Sequence, residues 1–384
     1  MLRLVINAKG TNLGSYSEKA LMEARMRTKC SIRYLLAASM IVLTFSGIDC
    51  RRNPVGPPPG ADTTSHSFTF TQYEFGGGPS YFNDVAIVND SDIWVVGTIN
   101  AATDSMYNAV HWDGASWQLA RITVQTKYGL VTAPFYGIYA FSGNDIWILS
   151  GLPIHGDGKV WTQYDLYGMG ILGQTDGYLT GGWGRNSSDV FFIGTKGTIV
   201  HYSNGVWTKM VSGTTIDLRD VWGSADGSVV WACGYSNDNS QSILLKCNGV
   251  SWKTVWTRQG GVTPPYGDLI TSLWGEKHLF TSTNYGVYSQ DISGADTATQ
   301  VLAINNFPYR IRGSAENNIA VVGDNGTIWH YNGSTWKLLN YVGSGVPLYS
   351  VAVTDNMIVA AGADFTVTTS FPPKALIYIG YRSK

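Results

Sequence analysis

Short apolar runs, each closed by a turn signal, fill the chain from about residue 80 onward. The run at Asn318–Gly323 is apolar after its first residue, and the turn Asp324–Gly326 separates it from a second run at residues 327–331. Runs of this length, bounded by Asn-Gly or Asp-Gly pairs, are typical of antiparallel strands joined by tight hairpin turns. The pattern therefore predicts an all-β protein.

The same phrase returns along the chain. One strand starts with Asp or Asn, carries an aromatic residue and ends at glycine; six copies end at positions 97, 151, 194, 234, 323 and 362, and a weaker copy at residues 277–281 lacks the glycine. The preceding strand often ends in Trp-Gly, as at Trp183 and Trp222, and the following strand often ends in His plus an aromatic residue. Four strands in about 40 residues, seven times over, predict a seven-bladed β-propeller with four-stranded antiparallel blades. A β-solenoid is the alternative, but its shorter coils would not need four strands each.

The fullest copies run from Trp183 to Trp207 and from Gly313 to Trp336. They resemble secreted bacterial propellers built on a Trp-Gly-Ser-x-x-Asp-Val-Trp-x-x-Gly…Gly-Thr-Ile-x-His-Tyr repeat and, more distantly, kelch and Asp-box propellers. The resemblance covers about residues 80–382 and implies the fold, since the function of that repeat family is mostly unassigned. The propeller domain is expected to span residues 67–384, with the strand at Phe68 joining the last blade to close the ring.

The residues before the domain read as three segments. Residues 1–25 have no clear period and are interpreted as an over-extended reading frame, with the true start at Met26. Residues 26–49 combine a basic stretch with an apolar run at 34–45, which predicts a secretory signal peptide because the run is shorter than the ~20 residues of a membrane span. Residues 50–66 are rich in proline and would form an extended tether.

Cys50 stands directly after the predicted signal peptide, where a bacterial lipoprotein carries its lipid. Asp49 departs from the small residue expected before such a cysteine, so simple cleavage after Ser46 or Gly47 is the alternative. Either way the sequence predicts export to the periplasm or the cell surface, with a lipid anchor in the envelope as the further expectation.

Charge limits the range of partners. Beyond residue 49 the chain carries 19 basic and 24 acidic residues and no basic run. A mildly acidic body argues against a nucleic-acid partner and against an anionic membrane surface, so membrane contact is expected only through the N-terminal lipid. We expect a monomer that binds a glycan or a protein.

Cysteine and histidine are given structural roles. Cys233 and Cys247 lie in neighbouring strands, and the alternatives are a disulfide or, as favoured here, two buried thiols. The histidines at 111, 201 and 330 hold the same repeat position in different blades, too far apart to share one metal ion. We expect each to bond to the next blade, and we expect no metal and no cofactor.

Candidate binding residues fall on the first strand of each repeat, which lines the channel of a propeller. Asp84, Arg219, Asp220 and Arg310 could form a polar ring there, either for a ligand or, as favoured, as internal ion pairs. The long connections at residues 98–108, 123–134, 235–242, 258–268 and 290–306 are expected on one rim, where function is usually carried. Tyrosines near that rim suit sugar or protein binding, and we select Tyr136, Tyr309 and Tyr349.

Two functions remain open on this basis. The first is a non-catalytic binding or scaffold module of the cell envelope that uses the long-loop rim. The second is a polysaccharide-active enzyme, a glycosidase or lyase, with acids at the channel mouth. We find no catalytic motif in the sequence and name no catalytic residue, which favours the first.

Overall fold

The computed structural model describes residues 62–101, 106–258, 268–292, 298–366 and 373–383. The predicted reading-frame extension, the signal peptide, Cys50 and most of the tether lie outside these residues. In the described part, no helix is long and apolar enough to cross a membrane. The regular structure there is almost entirely β-strand, with two single-turn 3-10 helices at Thr195–Gly197 and Asp324–Gly326.

The first strand, β1 (Phe68–Phe75), precedes blade 1. Blade 1 contains β2 (Tyr81–Asn89), β3 (Asp92–Asn100), β4 (Met106–Trp112) and β5 (Trp117–Ala120). A separate hairpin of β6 (Val124–Thr126) and β7 (Gly129–Val131) follows. Blade 2 contains β8 (Gly137–Ser142), β9 (Asp145–Leu149), β10 (Pro153–Gly156) and β11 (Trp161–Gln163). Blade 3 contains β12 (Leu179–Asn186), β13 (Asp189–Gly194), β14 (Ile199–Ser203) and β15 (Val206–Met210).

The second half of the ring repeats the arrangement. Blade 4 contains β16 (Leu218–Gly223), β17 (Val230–Tyr235), β18 (Ser242–Cys247) and β19 (Trp252–Thr257). Blade 5 contains β20 (Ile270–Gly275), β21 (His278–Thr283), β22 (Gly286–Asp291) and β23 (Thr299–Ala303). Blade 6 contains β24 (Pro308–Ala315), β25 (Asn318–Gly323), β26 (Ile328–Tyr331) and β27 (Trp336–Asn340). Blade 7 contains β28 (Leu348–Val353), β29 (Met357–Asp364) and β30 (Lys374–Arg382), and its fourth strand is β1.

These seven four-stranded antiparallel sheets confirm the predicted propeller. The first strands of successive blades contact one another around the ring, including β28 with β2, so they are the innermost strands and the ring is closed. Closure is completed by β1, which pairs with β30 from Phe68↔Arg382 to Phe75↔Ala375, as the sequence predicts. Residues 62–66, which the sequence assigns to the tether, lie against blade 6.

The cores lie between neighbouring blades. Trp147 and Trp231 are among the largest side chains that are fully buried, and each packs in an apolar cluster between its own blade and the next. Burying a large aromatic side chain contributes about 1.5–3 kcal/mol, so these repeated interfaces supply much of the driving force for folding. The recurring aromatic position of the sequence pattern is therefore a packing position.

The antiparallel strand order gives the ring two distinct faces. We call upper the face that carries the connections from each fourth strand to the next blade and from each second strand to the third; the opposite face is lower. The upper connections include the β6–β7 hairpin and residues 164–178, whereas the lower ones include the short turns at 90–91, 187–188 and 204–205. The strand ends that flank the long connections of the sequence therefore lie at the upper face, apart from the ends of β22 and β23 that face each other on the lower face.

The two cysteines in the described domain are free and buried. Cys233 is opposite Leu244 and Cys247 is opposite Val230, so the two thiols are not cross-strand partners. Their side chains also leave the blade 4 sheet on opposite sides, Cys233 toward blade 5 and Cys247 toward blade 3. A disulfide between them would have to pass through the sheet, so that alternative is wrong and both residues act as packing groups.

Candidate functional site

Two layers of side chains occupy the inner ring, and the candidate residues divide between them. Six of the seven innermost strands contain a bulge near their start, after the second paired residue in blade 1 and after the first in blades 3 to 7, and the extra residue lies at the upper mouth of the channel. Bulges change where a side chain points and recur next to functional sites. The residues at the bulge, and the matching residue of blade 2, are Asn83, Tyr136, Thr180, Arg219, Thr271, Tyr309 and Tyr349.

The next residue of each strand forms the lower of the two layers, which we call the ion layer. Asp220 of blade 4 is its centre: Arg310 Nη1 lies 2.7 Å from Asp220 Oδ1, and Arg312 approaches both carboxylate oxygens at 2.8 Å. The Ser272 hydroxyl also donates to Oδ2, and the backbone N–H groups of Val221 and Leu273 donate from 3.0 Å each. Every face of this buried carboxylate is occupied.

Asp84 of blade 1 holds the opposite side of the ion layer. The Ser350 hydroxyl donates to Asp84 Oδ1 at 2.6 Å, and the Ile138 N–H donates to Oδ2 at 3.0 Å. Arg310 Nη2 lies 3.8 Å from Asp84 Oδ1, so one guanidinium reaches from blade 6 toward blade 1 and blade 4 together. The structure thus brings Asp84, Asp220 and Arg310 into one network.

The network is suited to holding blades together and unsuited to acid catalysis. Burial of Asp220 opposes ionisation, but Arg312 and Arg310 outweigh it and hold the pKa of that carboxyl well below its ordinary value. A glycosidase needs one carboxyl with a raised pKa as its proton donor. Asp220 is therefore an anion that accepts hydrogen bonds from its own strand and from two neighbouring strands, β20 and β24.

A cavity of about 170 Å³ lies in the channel below the upper mouth, lined by the ion layer and by residues further along the same strands. Its aromatic walls turn their polar atoms to the backbone: Trp222 Nε1 donates to Gly275 O at 3.1 Å and Tyr139 Oη to Gly184 O at 3.1 Å. The side chains of Arg219, Tyr309 and Tyr349 lie outside this lining. The predicted channel ring is therefore not one site, because its members face different spaces.

The upper mouth carries a cluster of aromatic residues and one arginine. Tyr309 packs edge-on against Tyr349, with ring centroids 5.1 Å apart, and Phe307 packs at a tilt against Tyr309 at 5.3 Å. Tyr235 continues the cluster from blade 4, 6.1 Å from Phe307, and the Arg219 guanidinium lies 5.0 Å above the Tyr235 ring. We call these five residues the mouth cluster. It contains three of the residues that were selected from the sequence, Arg219, Tyr309 and Tyr349. It contains neither of the selected carboxylates.

Electrostatics in the mouth cluster favour neutral phenols. The Tyr309 hydroxyl donates to Asp324 Oδ1 at 3.0 Å, and burial followed by this carboxylate raises the pKa of Tyr309. Arg219 is partly neutralised, with Nη2 3.5 Å from Asp217 Oδ2 and 2.5 Å from Asn237 Oδ1. The cluster therefore offers ring faces and a partly exposed guanidinium, a combination suited to binding.

Tyr136, the remaining candidate, lies at the upper end of blade 2 and is 44% exposed. It belongs to a wider feature of the upper face. Of the eighteen large apolar side chains exposed in the described residues, eleven lie on that face. They are Tyr128, Leu130, Val131, Tyr136, Met169, Tyr178, Val211, Tyr285, Tyr341, Val342 and Phe365.

The hairpin β6–β7 is the most exposed part of this surface. Tyr128 is 85% exposed and Leu130 72%, although Val124 at its base is buried against blades 1 and 2. A hairpin anchored by one buried residue and tipped by two exposed apolar ones presents apolar surface to solvent. Exposed apolar groups that gather on one face mark interaction surfaces more often than scattered ones do.

The histidines have a different role from the one expected. His111, His155 and His201 each place Nε2 within 2.7–2.8 Å of an Asp at the start of the second strand of the same blade, and each ring stacks on the aromatic residue of that strand. The bond to the next blade that was expected for His111, His201 and His330 is wrong: the first two bond to Asp92 and Asp189, and His330 Nε2 lies 2.9 Å from Asn318 Oδ1, all in the same blade. In the described part of the chain, no three His, Cys, Asp or Glu side chains form a group that could hold a metal ion.

Sequence reasoning missed several members of both layers. Ser272 and Ser350 occupy the repeat position of Asp84 and Asp220, so aligning the innermost strands would have indicated them. Arg312 replaces the tryptophan of the Trp-Gly pair, and that departure was its signal. Tyr235 and Phe307 had no signal, because they meet across blade 5 through connections whose course the repeat does not define.

Comparison with known proteins supports the fold and assigns the chain to no family. No protein-family model matches the chain, and no curated protein matches it. Among solved structures, YCF48 bound to a D1 peptide is similar over 82% of this chain and 97% of that one, with a TM-score of 0.58 and 14% identity. The WD40 propeller domain of Doa1 matches with a TM-score of 0.55 and 13% identity, covering 82% and 98% of the two chains.

Selenomethionine-substituted virginiamycin B lyase from Staphylococcus aureus is similar to the same extent, with a TM-score of 0.58, 12% identity and coverage of 82% and 99%. At these identities the likeness shows the propeller fold alone.

Proposed function

We propose that this chain is a non-catalytic binding module that holds a segment of another protein on its upper face. The observation that carries the proposal is the concentration of exposed apolar side chains on that face, eleven of the eighteen in the described residues. The mouth cluster adds half-buried tyrosines and an arginine, residue types that are enriched at the energetic centres of protein interfaces.

A protein segment is favoured over a glycan as the ligand. The upper-face side chains include leucine, valine, methionine and phenylalanine beside tyrosine, and such side chains gain most from burial against other apolar groups. One structurally similar propeller, YCF48, has been solved with a bound peptide, which supports the ability of this fold to hold one. The enzyme alternative loses support because the pKa of Asp220 is lowered, the opposite of what a proton donor needs.

The first test uses random peptides displayed on phage and selected against the folded chain. We expect the selected peptides to lose at least about tenfold in affinity, equivalent to ~1.4 kcal/mol, when Tyr128→Ser and Leu130→Ser are combined, because two exposed apolar contacts disappear. The matched control combines Val206→Ser and Val250→Ser, which are 62% and 81% exposed on the lower face and should leave affinity unchanged.

The opposite pattern, with binding lost only in the lower-face variant, would overturn the proposal. A glycan array and a screen for polysaccharide cleavage on the same chain test the alternatives. Cleavage that disappears in a folded Asp220→Asn variant would restore the enzyme hypothesis.

We further propose that the module is exported and carries a lipid on Cys50. The support is the basic and apolar pattern of residues 26–49 and the cysteine that follows it. Metabolic labelling with a radioactive fatty acid in a bacterial host should mark the wild-type chain and fail to mark Cys50→Ser. Labelling of both chains would place the fatty acid on a residue other than Cys50. Labelling of neither, with the chain recovered from the periplasm, would leave export without a lipid anchor.

A further inference from the structure

Residues 62–67, which lead into β1, lie along the lower face of blade 6. The Thr64 N–H donates to Asn332 O at 3.1 Å, and the Thr64 hydroxyl donates to Asn317 O at 2.6 Å. The Asn332 side chain donates back to Thr64 O at 3.1 Å. Asn317 and Asn332 belong to the two lower turns of blade 6, so the segment docks on one blade before its strand completes another.

A pair of histidines lies at the centre of this contact. His66 Nδ1 is 2.8 Å from His330 Nδ1, and His330 is fully buried. A short contact between two ring nitrogens requires one to carry a hydrogen and the other to lack one. Both imidazoles cannot therefore be protonated while the contact persists.

The surrounding groups define which nitrogen carries the hydrogen. Arg382 Nη2 donates to Asn318 Oδ1 at 2.6 Å while Asn318 Nδ2 donates to Thr354 O, which orients the amide with its oxygen toward His330. His330 Nε2, 2.9 Å from that oxygen, must then donate, which leaves Nδ1 of neutral His330 as an acceptor for His66. At its other nitrogen His66 meets the Thr335 hydroxyl at 3.0 Å, and a hydroxyl can donate or accept.

Other blades of the same chain provide an internal comparison. In blades 1 to 3 the equivalent histidine bonds to a carboxylate and stacks on Trp or Phe; the carboxylates are Asp92, Asp145 and Asp189. In blade 6 the carboxylate is replaced by Asn318 and the aromatic residue by Ala320. His66 and Phe68 of the N-terminal segment supply the missing rings, with centroids 4.9 and 5.2 Å from His330. Blade 6 is thus adapted to receive this segment.

We propose that His66 and His330 form a pH-sensitive clasp, which holds residues 62–67 on blade 6 while both imidazoles are neutral and releases them when both are protonated. The charged groups that act on the pair are Lys337 of β27 and Arg382 of β30, and both are positive. Asn318 cannot compensate a positive imidazole as the carboxylates of blades 1 to 3 can. Protonation therefore opposes the contact through geometry and through charge.

The direction of the pH effect follows from the same groups. Burial, then the neighbouring His66 and Arg382, lowers the pKa of His330 to about 3, and burial followed by Lys337 and Arg382 lowers that of His66. A released histidine has a pKa of about 6.5, so just below that pH the open form binds protons that the closed form does not bind. The clasp is at full strength above about pH 6.5. It weakens as the pH falls from there toward the lower pKa values that the two histidines have in the closed form.

Hydrogen exchange at the Thr64 amide measures clasp opening on the full chain. Because opening takes up two protons on groups whose released pKa is about 6.5, the opening constant, corrected for intrinsic exchange, should rise about 60-fold between pH 6 and pH 5 in the wild type. In Asn318→Asp the clasp can keep one proton on His330 beside the new carboxylate, so the rise should fall to about tenfold. His66→Phe, which removes one titrating ring and keeps an aromatic contact, should give a similar tenfold rise and serves if the first variant does not fold.

The matched control is Asp189→Asn in blade 3, at the position that corresponds to Asn318. It replaces a carboxylate by an amide, the reverse of Asn318→Asp, and it should leave hydrogen exchange at Thr64 as in the wild type. Amides in the interior of β29 report whether the propeller itself stays folded at each pH. An opening constant that does not change between pH 6 and pH 5, or that rises equally in the wild type and in both clasp variants, would overturn the proposal.

Discussion

At the scale of single residues, Asp220 is a buried carboxylate that stabilises the inner ring only because its neighbours donate hydrogen bonds to it. An isolated ion in the interior is costly, and a paired one repays that cost only with good geometry and additional hydrogen bonds. Asp220 has both: two arginines, a serine and two backbone N–H groups converge on it from blades 4, 5 and 6. Removing it leaves Arg312 without its anion and Arg310 with only Asp84, 3.8 Å away.

We predict that Asp220→Ala lowers the free energy of unfolding by about 3–5 kcal/mol, since the remaining partners stay buried and charged. Ser350→Ala, which removes one neutral donor to Asp84 in the same layer, should cost only about 1 kcal/mol. Urea unfolding followed by tryptophan fluorescence gives both values. Equal and small losses would mean that the ion layer does not hold the blades together.

The residue scale also shows why one sequence interpretation was wrong. The histidines recur for a structural reason, as predicted, but their partner is the Asp at the start of the neighbouring strand, as in His201 with Asp189. Both residues were visible in the repeat, at fixed spacing. Cross-strand register, which places them face to face, is the information that spacing alone did not contain.

At the scale of elements, ring closure depends on how β1 sits on β30. Phe70 is directly opposite Gly380, and its ring covers the glycine so closely that a Cβ there would lie 2.5 Å from a ring carbon. An aromatic residue that covers a cross-strand glycine compensates for the missing side chain. The pair therefore connects the N-terminal and C-terminal strands of the domain.

We predict that Gly380→Ala destabilises the domain by about 1–3 kcal/mol because the new methyl group displaces the Phe70 ring. In a Phe70→Ala background the same substitution should cost almost nothing, since the space is then free. Gly181→Ala is the control: it also lies in a strand, and a Cβ there meets nothing nearer than 3.5 Å. A double-mutant cycle without coupling between positions 70 and 380 would contradict this description of closure.

Some structural elements could be predicted from the sequence, and others could not. Strand boundaries such as Asn318–Gly323 and the closing strand at Phe68 followed from apolar alternation and turn residues, which are local signals. The bulges at Arg219 and Tyr309 did not, because an extra unpaired residue changes neither the apolar pattern nor the repeat length. Those bulges separate Arg219 from Asp220 and Tyr309 from Arg310, and so divided the predicted ring into two layers.

At the scale of the whole molecule, the two faces differ in what they offer. The lower face carries short turns and receives residues 62–67 on blade 6, whereas the upper face carries the long connections and most of the exposed apolar side chains. Repeat counting predicted the ring and the face of the long connections. It could not predict the mouth cluster, because Tyr235 and Phe307 come from blades that are not adjacent.

The most direct test of the central claim is the crystal structure of the full chain in complex with a peptide selected from the displayed library. We expect a peptide lying on the upper face, in contact with Tyr128 and Leu130 of the β6–β7 hairpin, whose replacement weakens binding. A peptide found on the lower face, along the outer strands or inside the channel cavity would contradict it.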